Sequence, residues 1–418
     1  MGRESAPAAG SRRARARPRH GTESSGLVRI LYHHRTRATD AQKVHILEMI
    51  SAFRGLGHEV AVASLVETEN RASEPEREAK ESGLKKLLRA IPFSFELVQL
   101  GYNLFAIPWL WAKIRRCRPD FIYERYSLFN FSGVAAAALA GKPVVIEVNS
   151  PLALEMSREK EIRARKFAAW TERKICNWAT KVVVVSGPLR RIMIENGVAE
   201  SKLCLLPNGV NLRRFRRGRD DRLADSLGIR DRVAIGFVGW FRRWHGLELL
   251  LEGFLESGLW REEAVLMLVG DGPAASELKQ YVAANRLQDS VIFTGPISHE
   301  LVPAYLELVD IAVQPAANEY CCPMKILEYM GLGKAIVAPR QENIEELLDN
   351  GRTAVLFQPG DARSMARALR ALATDSELRA RTGGSALRAI HERGLLWEAN
   401  ARKVIEMSQP GGKVLAYD

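Results

Sequence analysis

The chain has 418 residues, 47% hydrophobic and 26% charged, with 61 lysines and arginines against 49 acids for a formal charge of +12. That composition excludes a disordered, collagen-like or membrane-bundle protein, and the length exceeds one ordinary core, so two domains are expected. A basic balance suits anionic partners in general, whether nucleic acid, anionic lipid headgroups or phosphorylated substrates.

Residues 1–25 read as a disordered basic tail, in which six arginines against two glutamates supply +4 of the total. No charged start, apolar run and small-residue cleavage site marks a secretory leader. The five cysteines (Cys117, Cys176, Cys204, Cys321 and Cys322) lack metal-ligand spacing and read as reduced thiols of a cytosolic protein.

From Val28 onward, strand-like runs alternate with helical patterns, which argues for βαβ units and mostly parallel sheets. Val28 to Tyr32 reads as a strand and Gln42 to Arg54 as a helix with Val44, Leu47, Ile50 and Phe53 on one face. Gly57 stops that helix before the strand Glu59 to Ser64. Further strands are expected at 121–123, 144–148, 182–185 and 203–206, giving a Rossmann-like domain over 26–206. The Arg- and Asp-rich stretch 207–230 reads as a linker. A second series at 234–238, 265–269, 292–294, 311–313, 335–338 and 354–357 makes a second such domain over 231–385. Beyond Asp361 the pattern is helical to about Met407, broken at Gly383-Gly384, and 386–418 holds the final helix.

Residues 84–118 carry Lys85, Lys86, Arg89, Lys113, Arg115, Arg116 and Arg118 against Glu96, with aromatic residues between. Cationic flanks around apolar residues suit a membrane headgroup layer. Pro92, Gln99, Asn103 and Pro108 argue against a span, which needs about 20 mostly apolar residues. The alternative is a buried helix of the first domain.

Ligands of open parallel sheets bind outside the carboxyl ends of the strands, so the loops there are where chemistry is sought. In Cys321-Cys322-Pro323-Met324-Lys325-Ile326-Leu327-Glu328, Pro323 suits a first helical turn whose free NH groups attract phosphate. Lys325 adds charge there and Glu328, one turn on, offers an acceptor for ribose hydroxyls; the plainer reading is a surface Lys and Glu pair. The turn Gly239-Trp240-Phe241-Arg242-Arg243 lets backbone approach phosphate, with Arg242 or Arg243 to neutralise it. Gly270 and Gly272 are explained by turn geometry. In the first domain, His33, His34, Glu124, Arg125, Glu147 and Asn149 all follow strand ends and are expected to converge on one acceptor pocket.

Gly57-His58-Glu59-Val60, Val184-Val185-Ser186, Pro207-Asn208-Gly209-Val210-Asn211, Val269-Gly270-Asp271-Gly272-Pro273 and the Glu328 helix, in this order over residues 28 to 408, resemble glycosyltransferase family four. The resemblance implies an α/β protein of the GT-B arrangement, two Rossmann-like doubly wound domains facing a central cleft. In that arrangement the second domain binds a nucleotide-sugar, the first binds the acceptor, and the last helices cross back to the first. It implies a retaining transfer without bound metal or other cofactor, to a glycan or polyprenyl-linked acceptor of cell-surface polysaccharide synthesis, by a cytoplasmic enzyme peripheral to the inner face of the membrane. Nucleic acid is not an expected partner. Catalytic roles fall on Lys325, Glu319 and Asn149. Two departures stand out: Tyr320 occupies the position of the family's first glutamate, with Glu319 one residue early, and Trp240 and His245 replace its basic diphosphate clamps. A sugar-nucleotide epimerase of the same fold and a silent nucleotide-binding module are the rival readings.

Overall fold

The structure, a computed structural model, describes residues 26–35, 41–65, 93–215, 218–262, 264–298 and 300–409. The tail over 1–25 and Lys85, Lys86 and Arg89 lie outside those residues. The described residues form two six-stranded sheets whose strand pairs are all parallel. The first runs β2-β1-β3-β4-β5-β6, built from β1 (Arg29–His33), β2 (Glu59–Ala63), β3 (Phe121–Arg125), β4 (Val144–Val148), β5 (Lys181–Val184) and β6 (Leu203–Leu205). The second runs β12-β11-β10-β7-β8-β9, from β7 (Val233–Val238), β8 (Ala264–Val269), β9 (Val291–Gly295), β10 (Ile311–Val313), β11 (Ala335–Pro339) and β12 (Val355–Phe357).

Every position of β4 and β8 is buried. Helices cover both faces of such strands, which is why they read as near-continuous apolar runs rather than alternating ones. Each sheet reverses its direction of growth once, between β1 and β3 and between β7 and β10. Loops leaving the carboxyl edge diverge at those two points and open a crevice.

Two local expectations are corrected, and the stretch between the sheets gains detail. The first helix, Ala41–Gly55, buries His45, Ile46, Met49, Ile50 and Phe53, whereas Leu47 is 47% exposed. Its inward stripe is set by the last helix, Trp397–Ser408, whose Trp397, Ala401 and Val404 share a core with it. Gly209 admits that helix, because a Cβ there would lie 2.4 Å from the Trp397 nitrogen. The stretch read as a linker contains a 3-10 turn (Leu212–Phe215) and a helix (Asp221–Ser226) whose cap, Asp220, accepts from the Arg222 and Leu223 amides. Finally, Gly383-Gly384 does not break the C-terminal pattern: the helix Ser376–Glu392 runs straight through it. The breaks fall at Asp375, which caps that helix, and at Gly394 with φ +62°.

Gly383 is there for packing, since a Cβ on it would lie 2.1 Å from the Gly333 carbonyl oxygen; Gly384 meets only the Arg388 guanidinium, at 3.6 Å. Alanine at either site gains helix propensity of about 1 kcal/mol. Gly384→Ala is therefore expected to raise the urea midpoint and Gly383→Ala to lower it. Equal shifts of the same sign would refute the packing role.

Candidate functional site

On the second sheet, β7 is followed by Gly239 at φ +149°, and a Cβ there would lie 2.6 Å from Cε of Lys325. The positive φ calls for glycine there, and the missing side chain leaves the space occupied by that lysine, which arrives from the helix Met324–Gly331 beyond β10. Pro323 is the residue just before this helix rather than within its first turn, and Met324 begins it. The Lys325 ammonium lies 5.3 Å from the centre of the Phe237 ring and 3.3 Å from Nε2 of His245. Nδ1 of His245 is 2.6 Å from the Trp240 carbonyl oxygen. Burial and the neighbouring Lys325 push His245 down to about 3, so the imidazole is neutral. It then donates through Nδ1 and accepts from the lysine through Nε2. Burial also lowers Lys325, opposed by Glu328, and pushes Glu328 up to about 7 against Lys325 and Arg214. Among the described residues, no side chain or amide hydrogen-bonds the Glu328 carboxylate.

Arg242 is exposed beside this group, but Arg243 turns outward to Glu277 at 2.6 Å and is not brought to Lys325. Glu319 is exposed on the loop before the helix. Its neighbour Tyr320 is buried and crosses to the first half of the chain. There its hydroxyl donates to Glu155 and its carbonyl accepts from Ser186, 2.7 Å away. Asn208 makes a second crossing, donating to the Cys322 carbonyl at 2.9 Å. The carboxyl edges of the two sheets thus face each other. Burial pushes the Cys321 thiol up to about 11 and raises Cys322 further, so neither is a thiolate at neutral pH.

The first-domain residues do not converge on one pocket. Glu124 and Arg125 are successive residues of β3, so the pleat sends them to opposite faces. Glu124 lies 3.1 Å from Nδ1 of His33, accepts from Asn130 at 3.1 Å and abuts Gly133, all beneath the helix Ser132–Ala140. His34 is buried beside the Tyr32 ring. On the other face, Glu147 accepts from Tyr123 (2.6 Å), Arg125 (2.9 Å) and Asn149, with His45 at 3.4 Å. Burial raises this carboxyl, but His45, Arg125 and the hydrogen bonds from Tyr123 and Asn149 outweigh it and hold it low. His45 is itself pushed down to about 4 by burial, so the lasting countercharge is Arg125. Glu147 is therefore locked as a structural ion, not poised as an acid or base.

Sequence reasoning missed His45, Asn208, Glu155 and the bridging part of Tyr320. Only His45 left a signal, a polar residue one position from the apolar stripe of its helix. Among the described residues, no group of three or more His, Cys, Asp or Glu side chains is placed to hold a metal ion.

Two doubly wound sheets facing each other across such a cleft, with a helix N terminus and a lysine at the switch point of the second, define the GT-B class. The description Glycosyltransferase Family 4 matches residues 42–214, and Glycosyl transferases group 1 matches residues 232–375. The chain is 26% identical over 290 residues to the alpha-D-kanosaminyltransferase of Streptomyces kanamyceticus, covering 66% of this chain and 75% of that one. It is 25% identical over 422 residues to a D-inositol 3-phosphate glycosyltransferase of Streptomyces avermitilis, covering 96% and 89%. Among solved structures, Anabaena HepE in complex with UDP matches with TM-score 0.68 at 16% identity, covering 90% and 98%. A Rickettsia africae glycosyltransferase matches with TM-score 0.70 at 15% identity, covering 91% and 98%. The chain belongs to glycosyltransferase family four, and it is a glycosyltransferase of the GT-B fold.

Removing one partner of a buried ion pair strands the other, at a cost of about 3–5 kcal/mol. Arg125→Met is accordingly expected to destabilise the first half of the chain by that order in urea unfolding. A loss below about 1 kcal/mol would mean that Glu147 is solvated or protonated there.

Proposed function

We propose that the enzyme moves a hexosyl group, with retention of configuration, from a nucleoside diphosphate sugar to a glycan or polyprenyl-linked acceptor of cell-surface polysaccharide synthesis. The observation that carries this is the meeting of Lys325, the Met324–Gly331 helix start and Gly239 at the switch point of the second sheet. As the bond from sugar to diphosphate breaks, charge builds on the leaving phosphate. Helix amides and a partly desolvated lysine stabilise charge in that position better than water does. Glu328 takes the ribose hydroxyls. Arg242 reaches the phosphates from the glycine turn, and closure of the cleft keeps out competing water. No protein nucleophile and no metal take part. Glu319, exposed on the loop before the helix, and Asn149, whose amide donates to Glu147, are assigned no step in this scheme. The complex of Anabaena HepE with UDP favours uridine diphosphate as the carrier.

Calorimetry of UDP, GDP and ADP without added metal tests this. UDP is expected to bind, and Lys325→Ala to weaken it on the order of tenfold to a hundredfold, the worth of a charge-assisted hydrogen bond. Glu328→Ala weakens it too. Failure of every nucleotide to bind would refute the donor site.

The Glu328 carboxyl, held near about 7 by burial, is protonated below that pH and ionised above it. Ionised, it accepts hydrogen bonds from two hydroxyls. UDP affinity is expected to rise through that pH more steeply in the wild type than in Glu328→Gln, and the nucleotide's own titration cancels in the comparison. Parallel profiles would place Glu328 away from the ribose.

A further inference from the structure

The helix Ser94–Cys117 is turned inside out. Its buried side carries Glu96, Asn103, Ala106, Leu110 and Ile114. Glu96 accepts from the Arg163 and Ala164 amides at 2.8 and 3.0 Å, and Asn103 bridges the Phe129 carbonyl and the Phe131 amide at 2.8 and 2.7 Å. Its outward side repeats at 97, 98, 101, 104, 105, 108, 111 and 112, all uncharged, and ends in Arg115 and Arg116. Leu97, Leu104 and Phe105 are 63%, 83% and 63% exposed. A soluble helix places its polar stripe outward, so this arrangement marks a face that meets an apolar medium.

The neighbouring helix Arg165–Trp178 extends that face. Buried Phe129 stacks on Phe167 (5.9 Å, 21°), which stacks on exposed Trp170 (5.6 Å, 16°). The charges decide what the face meets. Each helix has one acid, Glu96 or Glu172, and both are buried. Every charge these helices present to solvent is positive: Arg115 and Arg116 on one, Arg165 and Lys166 on the other, with Lys174 over the Trp170 ring. A second copy docked through the same face would set cations against cations. A bilayer with anionic headgroups takes both the apolar stripe and its cationic ends. No helix among the described residues is long and apolar enough to cross a membrane. At Tyr102 the same helix stacks under Arg35, at 3.7 Å, in the loop that follows β1. The surface therefore adjoins the acceptor side of the cleft.

We infer that the outward faces of the helices 94–117 and 165–178 dock the enzyme on an anionic phospholipid bilayer, presenting the cleft to acceptors held in that bilayer. The use of the surface rests on the transfer reaction proposed above; the docking itself does not.

Flotation of the full chain with phosphatidylglycerol and phosphatidylcholine vesicles, equimolar or phosphatidylcholine alone, tests the docking. Binding is expected to the anionic vesicles only. Arg115→Gln with Arg116→Gln is expected to lower the partition coefficient roughly thirtyfold, from the worth of two interfacial cations. Leu104→Ser with Phe105→Ser is expected to abolish flotation while leaving the thermal midpoint and UDP binding unchanged. Equal binding to neutral vesicles, or variants that float as the wild type does, would overturn the inference. So would a dimer in light scattering that the serine variant dissolves, since the face would then belong to a second copy. Flotation without binding of any nucleotide would sink the donor reading and leave the docking standing.

Discussion

Glu147 leaves the carboxyl end of β4 with almost no water around it, and the Arg125 guanidinium 2.9 Å away is what keeps it ionised. Much of the first domain is arranged by that ion pair. Tyr123 and Asn149 supply further donors, and His45 fills the remaining side from the first helix. Asn208 reaches His45 at 3.0 Å and also holds Cys322, so the packing around one buried carboxylate continues into the loop that precedes the Lys325 helix. A buried charge tolerates little displacement, because its partners cannot be replaced by water. The junction between the halves thereby inherits a fixed geometry on this side.

The second sheet solves the opposite problem, keeping a cation where a polyanion is to arrive. Lys325 is partly desolvated, near the Phe237 ring and in contact with a histidine that burial and the lysine itself keep neutral. Nothing there competes with phosphate for its charge except Glu328, which is itself pushed toward protonation. Such a lysine gains more from an incoming diphosphate than a solvated one would, since the phosphate also relieves its desolvation. His245 sits where the family resemblance places a basic clamp. Its shorter, neutral side chain, with Gly239 opposite, leaves the space that Lys325 enters from the neighbouring helix.

How far the sequence could be read follows from the range of each interaction. The strands of both sheets were legible because burial on two faces turns them into local apolar runs, and the family resemblance named the GT-B fold that the structure shows. The Lys325 helix was legible because Pro323, Lys325 and Glu328 lie within six residues. The first-domain site was not, because which face a strand residue takes depends on register: Glu124 and Arg125 look equivalent in a string and part company in a sheet. Long-range pairs left no trace either. Tyr320 finds Glu155 165 residues away, and Arg125 finds His45 80 residues away. Gly383 misled for a related reason, since a glycine that admits a carbonyl in space looks the same in sequence as one that ends a helix.

The bridge at Tyr320 joins the two halves of the chain. Its backbone is held by Ser186, the cap of the helix Gly187–Glu195, and its ring reaches Glu155 on the helix Leu152–Arg158. The residue stands four positions before the helix that carries Lys325, joined to it by a short, proline-stiffened link. Both of its partners lie in the first domain, on the loop and helix that follow β5 and β4. A tyrosine at this point is long enough to reach Glu155 from the second half of the chain, so one residue ties the two halves through both its ring and its backbone.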